Sequence, residues 1–149
     1  MDIQKLKAKR AFRRKSRVRK AIHGTATKPR LSVHRTNFHI YAQLIDDDKC
    51  VTLAAASSND KGTSIEYGGN IVGAKIVGKA LADKAKSLGI AEAAFDRGNF
   101  RFHGRVKALA RAATEGGLLC TGIVDTPKKV KTAEAAPKAK KKKPEKAGA

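Results

Sequence analysis

Tryptophan is absent from this chain, and seven rings (five Phe, two Tyr) serve all 149 residues. A core built on aromatic packing is thereby excluded, so any cluster of rings needs its own reason. Acids are scarce too: 13 Asp and Glu stand against 33 Lys and Arg, a formal net charge of +20. Such a chain repels itself unless a polyanionic partner or strong solvation relieves the charge. The two cysteines, Cys50 and Cys120, lie far apart with no CxxC pattern, which indicates neither a disulfide framework nor a zinc site. Both read as small buried apolar residues in a reducing, cytosolic setting. No stretch approaches the roughly 18 apolar residues of a spanning helix. The basic start MDIQKLKAKRAFRRKSRVRK has no apolar run of a secretory signal behind it. Membrane partners are therefore not expected.

The positive charge sits at the two ends. Residues 1–30 carry 12 basic and 1 acidic residues (net +11), residues 31–125 carry 12 and 10 (net +2), and residues 126–149 carry 9 and 2 (net +7). The expected organisation is a basic arm over 1–29, a globular unit over 30–120 and a Lys/Ala/Pro-rich disordered extension over 121–149. Residues 2–22 contain neither Gly nor Pro and are rich in helix formers. The apolar positions Leu6, Ala8, Phe12, Val18 and Ile22 are too few for a packed face, so this arm is expected to order when its charge is neutralised.

From Arg30 the pattern changes to short alternations. Leu31 and Val33 alternate with Ser32 and His34. After a turn at Arg35–Thr36–Asn37, HIYAQLI places Ile40, Ala42 and Leu44 on one side and His39, Tyr41 and Gln43 on the other. A turn at DDDK (46–49) and the run CVTLAAAS complete an antiparallel three-strand meander. Asn70 is a fair N-cap for a helix ending at Gly89, with Ala74, Val77, Leu81, Ala85 and Leu88 along one side. GIAEAAF reads as one further strand, and a second helix runs from about Gly104 to Glu115 with Val106, Leu109, Ala110 and Ala113 in a stripe. The fold class is α/β (α+β): a small mixed sheet flanked by two amphipathic helices.

Catalytic and metal chemistries find little support. GAKIVGKA matches the start of a phosphate-cradling loop, but Ala80 stands where a magnesium-holding hydroxyl is needed, and Ile76 and Val77 fit a helix. Asp46, Asp47 and Asp48 read as a solvated turn rather than a metal cluster. His23, His34, His39 and His103 come without a nucleophile motif, a carboxylate pair or metal spacing. No catalytic residue, metal, cofactor or small-molecule substrate is expected.

Two features remain. Residues 5–20 hold ten Lys and Arg and no acid, a density that points to phosphate neutralisation with counterion release, on RNA or DNA alike. Arg10, Arg13, Arg14, Arg17 and Arg19 can grip phosphates with two nitrogens each. Second, FDRGNFRFHGRV (95–106) interleaves Phe95, Phe100 and Phe102 with Arg97, Arg101, His103 and Arg105. Phe95 is expected to pack inward; Phe100 and Phe102 either anchor the loop or stack on an unstacked base. The lysine-rich end adds non-specific affinity or serves solubility.

RLSVHRTNFHIYAQLID, the helix GGNIVGAKIVGKALADKAKSLGI and FDRGNFRFHGRVKALARAATEGGL occur in that order behind the basic arm. Together they resemble the bacterial-type 5S rRNA-binding protein family of the large ribosomal subunit, the eighteenth in its numbering, over roughly residues 5–120. The resemblance implies a sheet flanked by helices and no enzymatic activity. It also implies a role in seating 5S rRNA on 23S rRNA at the central protuberance, beside the fifth large-subunit protein. It leaves residues 120–149 unassigned. Carried over by position, the arm, the hairpin tip and the loop would face RNA. The candidate set is Lys7, Lys9, Arg10, Arg13, Arg14, Lys15, Arg17, Arg19, Lys20, Arg30, His34, Arg35, Thr36, Asn37, His39, Tyr41, Arg97, Asn99, Phe100, Arg101, His103 and Arg105. The rival readings are a histone-like DNA-compacting protein, which leaves the meander and the loop without a task, and an RNA-processing enzyme using the histidines.

Overall fold

A computed structural model describes residues 2–60 and 67–122. The extension expected to be disordered lies, from 123 onward, outside these residues. A helix, α1 (Ile3–Arg19), precedes three strands, β1 (Arg30–Arg35), β2 (Ile40–Asp46) and β3 (Val51–Ser57). Then come α2 (Ile71–Ser87), β4 (Glu92–Asp96), α3 (Arg105–Glu115) and β5 (Leu119–Thr121). The strands form one five-stranded mixed sheet in the order β3-β2-β1-β4-β5. β1–β2 and β2–β3 pair antiparallel, whereas β1–β4 and β4–β5 pair parallel, each parallel step being bridged by a helix.

The meander follows from its alternation. Leu31, Val33, Ile40, Ala42 and Leu44 are all buried on one face, whereas His34 and Gln43 are exposed on the other. A register shift at Leu44/Ile45 re-aims the start of β3. β5 was not foreseen: three residues are too short for a period to show, and the strand exists because the parallel edge of β4 offers Ala93 and Ala94 as partners.

Asn70 caps α2 as expected, its side chain accepting the Gly73 N–H at 2.6 Å. The buried stripe of α2 (Ala74, Val77, Leu81, Ala85) meets that of α3 (Val106, Leu109, Ala110, Ala113) over the sheet, and small residues let the axes come close. At Gly78 an added Cβ would stand 2.5 Å from the Leu109 carbonyl oxygen. Leu88, expected in the stripe, is 53% exposed because the helix has already ended at Ser87.

Two expectations at the β2–β3 turn are corrected. Cys50 is exposed rather than buried; it sits at φ 55 after the acidic triplet, where the chain turns back into β3. Cys120 is buried on β5, and desolvation pushes its thiol up to about 11. Nor is the triplet a solvated turn throughout. Asp46 is 1% exposed and accepts the Asp48 and Lys49 N–H groups, closing the turn. Asp47 reaches inward to the Gly24 N–H and to Arg30. Asp48 faces solvent and pairs with His23 at 2.7 Å.

Candidate nucleic-acid interface

The loop between β4 and α3 is shaped by two glycines in left-handed conformation, Gly98 (φ 58) and Gly104 (φ 53), where a side chain would be strained. Between them the backbone closes on itself: Phe100 N–H donates to the Arg97 carbonyl at 3.2 Å and His103 N–H to the Arg101 carbonyl at 2.8 Å. Arg97 returns its guanidinium to the Phe100 carbonyl at 2.6 Å. Sequence alternation alone thus reads as a loop; these bonds make it a fixed one.

The rings hold this loop from below. Phe95 is buried and meets Phe102 edge-on, centroids 5.8 Å apart. Phe100 and Phe102 are both partly buried against the core, yet both also line the surface cleft described next. Phe100 lies beside His34 (6.4 Å) and carries the Arg35 guanidinium over its face at 5.2 Å. His34 neighbours Tyr41 (6.1 Å), and Tyr41 neighbours His39 (6.4 Å). A row of rings therefore crosses the uncovered face of the sheet from His39 to Phe100.

Above the loop, Arg14 of α1 joins Arg35, Arg97, Asn99, Phe100, Arg101, Phe102 and His103 around an open cleft of about 800 Å³. Its lining contains four arginines and no acid. The hairpin tip is locked beside it. Thr36 and His39 exchange backbone and hydroxyl bonds, Tyr67 donates its hydroxyl to the Asn37 carbonyl at 3.3 Å, and Arg105 donates to the Thr36 carbonyl at 3.0 Å. Arg14 of the arm, Arg35 at the end of β1 and the loop residues from Arg97 to His103 are thus brought to one cleft. Lys7, Lys9, Arg10, Arg13, Arg14, Lys15, Arg17 and Lys20 are exposed along α1, which buries no residue at all.

Arg30 is the correction. It is 8% exposed and faces inward, holding Asp47 with two nitrogens (2.8 and 2.6 Å) and Asp96 with a third (3.3 Å). Its donors are taken by carboxylates, so it does not present charge to a ligand. Hydrogen bonding from Arg30 holds the Asp47 carboxyl at about 2, below its ordinary 3.8, and that same bond raises Arg30 further. Donating its ring N–H to the Asp48 carboxylate raises the exposed His23. Arg19 is half-withdrawn: its Nε lies 2.9 Å from Asp96 Oδ2.

Phe102, read from the sequence as an anchor or a stacking ring, lines the cleft and packs against the core. Two residues escaped the sequence reading: Phe38 stands 66% exposed at the hairpin tip, and Asp96 sits beneath the loop, accepting the Gly98 N–H. Only Asp96 had a signal, as a lone acid inside a cationic segment. Among the described residues no group of three or more His, Cys, Asp and Glu side chains is placed to hold a metal ion, and no helix is long and apolar enough to cross a membrane.

Known proteins are similar to this chain in sequence. The chain is 57% identical over 106 residues to the large ribosomal subunit protein uL18 of Clostridium botulinum (strain Langeland), covering 71% of this chain and 88% of that one. It is 54% identical over 112 residues to uL18 of Staphylococcus carnosus (75% and 93%) and 48% identical over 122 residues to uL18 of Koribacter versatilis (79% and 98%). The family described as ribosomal L18 of archaea, bacteria, mitochondria and chloroplast matches residues 5–120, from the basic arm through the loop to β5, and the chain belongs to that family.

Proposed function

We propose that this chain, a structural constituent of the large ribosomal subunit and not an enzyme, binds 5S rRNA and helps attach it to 23S rRNA in the central protuberance. Its place is the cytoplasmic large subunit, with the fifth large-subunit protein as the neighbour expected there. The observation that carries the RNA reading is the cleft whose lining combines four arginines and two phenylalanines with no carboxylate. Guanidiniums neutralise phosphates, and rings or guanidinium planes accept unstacked bases, a combination suited to folded RNA with splayed nucleotides. The helical arm supplies the salt-sensitive share of affinity, and the body supplies register. Organised in this way, residues 1–29 act as the arm, 30–120 as the RNA-binding body, and 121–149 as an appendage.

A histone-like compactor needs only the charge. The ring row and the hydrogen-bonded loop have no part in that account, whereas fixed geometry is what discrimination among RNAs requires. Competition decides between them: labelled 5S rRNA bound to the protein is challenged with duplex DNA and with an unrelated hairpin RNA of equal length. Preference for 5S rRNA is the expected outcome; equal displacement by all competitors would refute the assignment.

A further inference from the structure

We propose that Asp96 is a positioning residue for RNA binding: its buried carboxylate fixes the direction in which the basic arm leaves the body and couples that direction to the loop at 97–105. The inference rests on the RNA-binding reading above and names the group that aligns its two halves.

The carboxylate of Asp96 is fully buried in a chain of strong positive charge, and its two oxygens serve separate elements. Oδ2 accepts from Arg19 Nε at 2.9 Å and from Arg30 Nη1 at 3.3 Å. Oδ1 accepts the Gly98 N–H at 2.7 Å, at the first turn of the loop. One side chain thus joins the last turn of α1, the start of β1 and the base of the RNA-facing loop. Charge-assisted bonds of this kind are short and directional.

Among the described residues α1 buries none of its own side chains, and Val18 and Ile22 share a surface pocket with Phe95 and Phe102 at its root. Coulomb forces push the other way, because Arg14 shares the cleft with Arg35, Arg97 and Arg101. Four guanidiniums around one opening repel each other until an anion arrives. A buried anion at the root of the helix opposes that repulsion before RNA binds. The lever is long: at a rise of about 1.5 Å per residue α1 extends about 24 Å from Arg19, so a 10° swing moves its far end by about 4 Å. Misplacement on that scale takes arginines out of reach of their phosphates.

Arg19→Gln tests this without disturbing the Arg30–Asp96 pair that the body needs. In the full chain with Cys50→Ser and Cys120→Ala, spin labels at Lys7→Cys and Lys79→Cys report the distance from arm to body in the absence of RNA. A narrow distribution that broadens in Arg19→Gln and partly recovers in Arg19→Lys is expected. Binding to 5S rRNA is then compared with Arg10→Gln, which removes one arm cation away from Asp96. Arg19→Gln should cost roughly tenfold more affinity than Arg10→Gln; Arg10→Gln should lower the salt slope by about 1, and Arg19→Gln by more, because several arm cations lose their phosphates together. An unchanged distance distribution, or equal losses for the two variants, overturns the proposal. Absence of any 5S preference in the unsubstituted chain would instead refute the functional reading and leave the distance result standing.

Discussion

Arg105 Nη1 donates to the carbonyl of Thr36 at 3.0 Å across 69 residues of sequence, tying the first turn of α3 to the tip of the β1–β2 hairpin. The tip and the 97–105 loop, which sequence treats as separate segments, are one surface because of such bonds. Arg105→Ala is expected to lower 5S rRNA affinity about tenfold, in the range of one hydrogen bond to a charged group, about 1.4 kcal/mol. An unrelated hairpin RNA should lose less, and filter binding on both RNAs checks the difference.

Arg101 projects from the same loop, exposed and without a side-chain hydrogen bond or ion pair among the described residues. Its removal should act as the loss of a phosphate contact. Arg101→Ala is expected to lower the salt slope by about 1 without changing the melting temperature. Arg97→Ala also removes the bond to the Phe100 carbonyl, so it should cost more affinity for 5S rRNA than for the hairpin control. Titrations over a salt series separate the two residues.

The arm sets the gross salt dependence. If α1 neutralises about 6–10 phosphates, affinity falls by roughly 10³–10⁵ between about 50 and 200 mM salt. Deleting residues 1–20 should flatten most of that slope and leave a body that still prefers 5S rRNA. A slope that survives the deletion would assign the electrostatics elsewhere.

Gly78 lies where α2 crosses α3, and a Cβ there would also stand 3.0 Å from the Ala112 Cβ. Gly78→Ala should destabilise by about 1–3 kcal/mol through overpacking against a backbone carbonyl that cannot yield without shifting α3. A melting temperature lower by about 4–8 °C per kcal/mol is the expected reading. RNA affinity of the folded fraction should follow α3 and the loop it supports, so a smaller loss than that of Arg105→Ala is expected.

Acid should loosen the root of the arm. The Asp47 carboxyl is held at about 2 against an ordinary 3.8, a folded value below the unfolded one. Its contribution to stability is therefore complete above about 3.8 and is lost as pH falls toward about 2. In melting curves over that window, Asp47→Asn should be less stable than the unsubstituted chain at neutral pH, with the gap narrowing as acid protonates Asp47. A gap independent of pH would mean that Arg30 does not need the charge.

Much of this protein could be read from residue order. Alternation at Leu31, Val33, Ile40, Ala42 and Leu44 gave the meander its face; Asn70 and the stripe through Ala74, Val77 and Leu81 marked α2; and Lys and Arg density marked the arm. These are local patterns, in which period and charge act over a few residues and tertiary contacts reinforce them. Side-chain partners chosen across the fold escaped that reading. Arg30 and Asp47 are 17 residues apart, and Arg19 and Asp96 are 77 apart. An arginine looks the same in sequence whether it meets a buried carboxylate or faces solvent. Folding brings the few acids of a cationic chain beneath particular arginines, so proximity in three dimensions, which no spacing encodes, separates cations that brace the body from those left to meet phosphate.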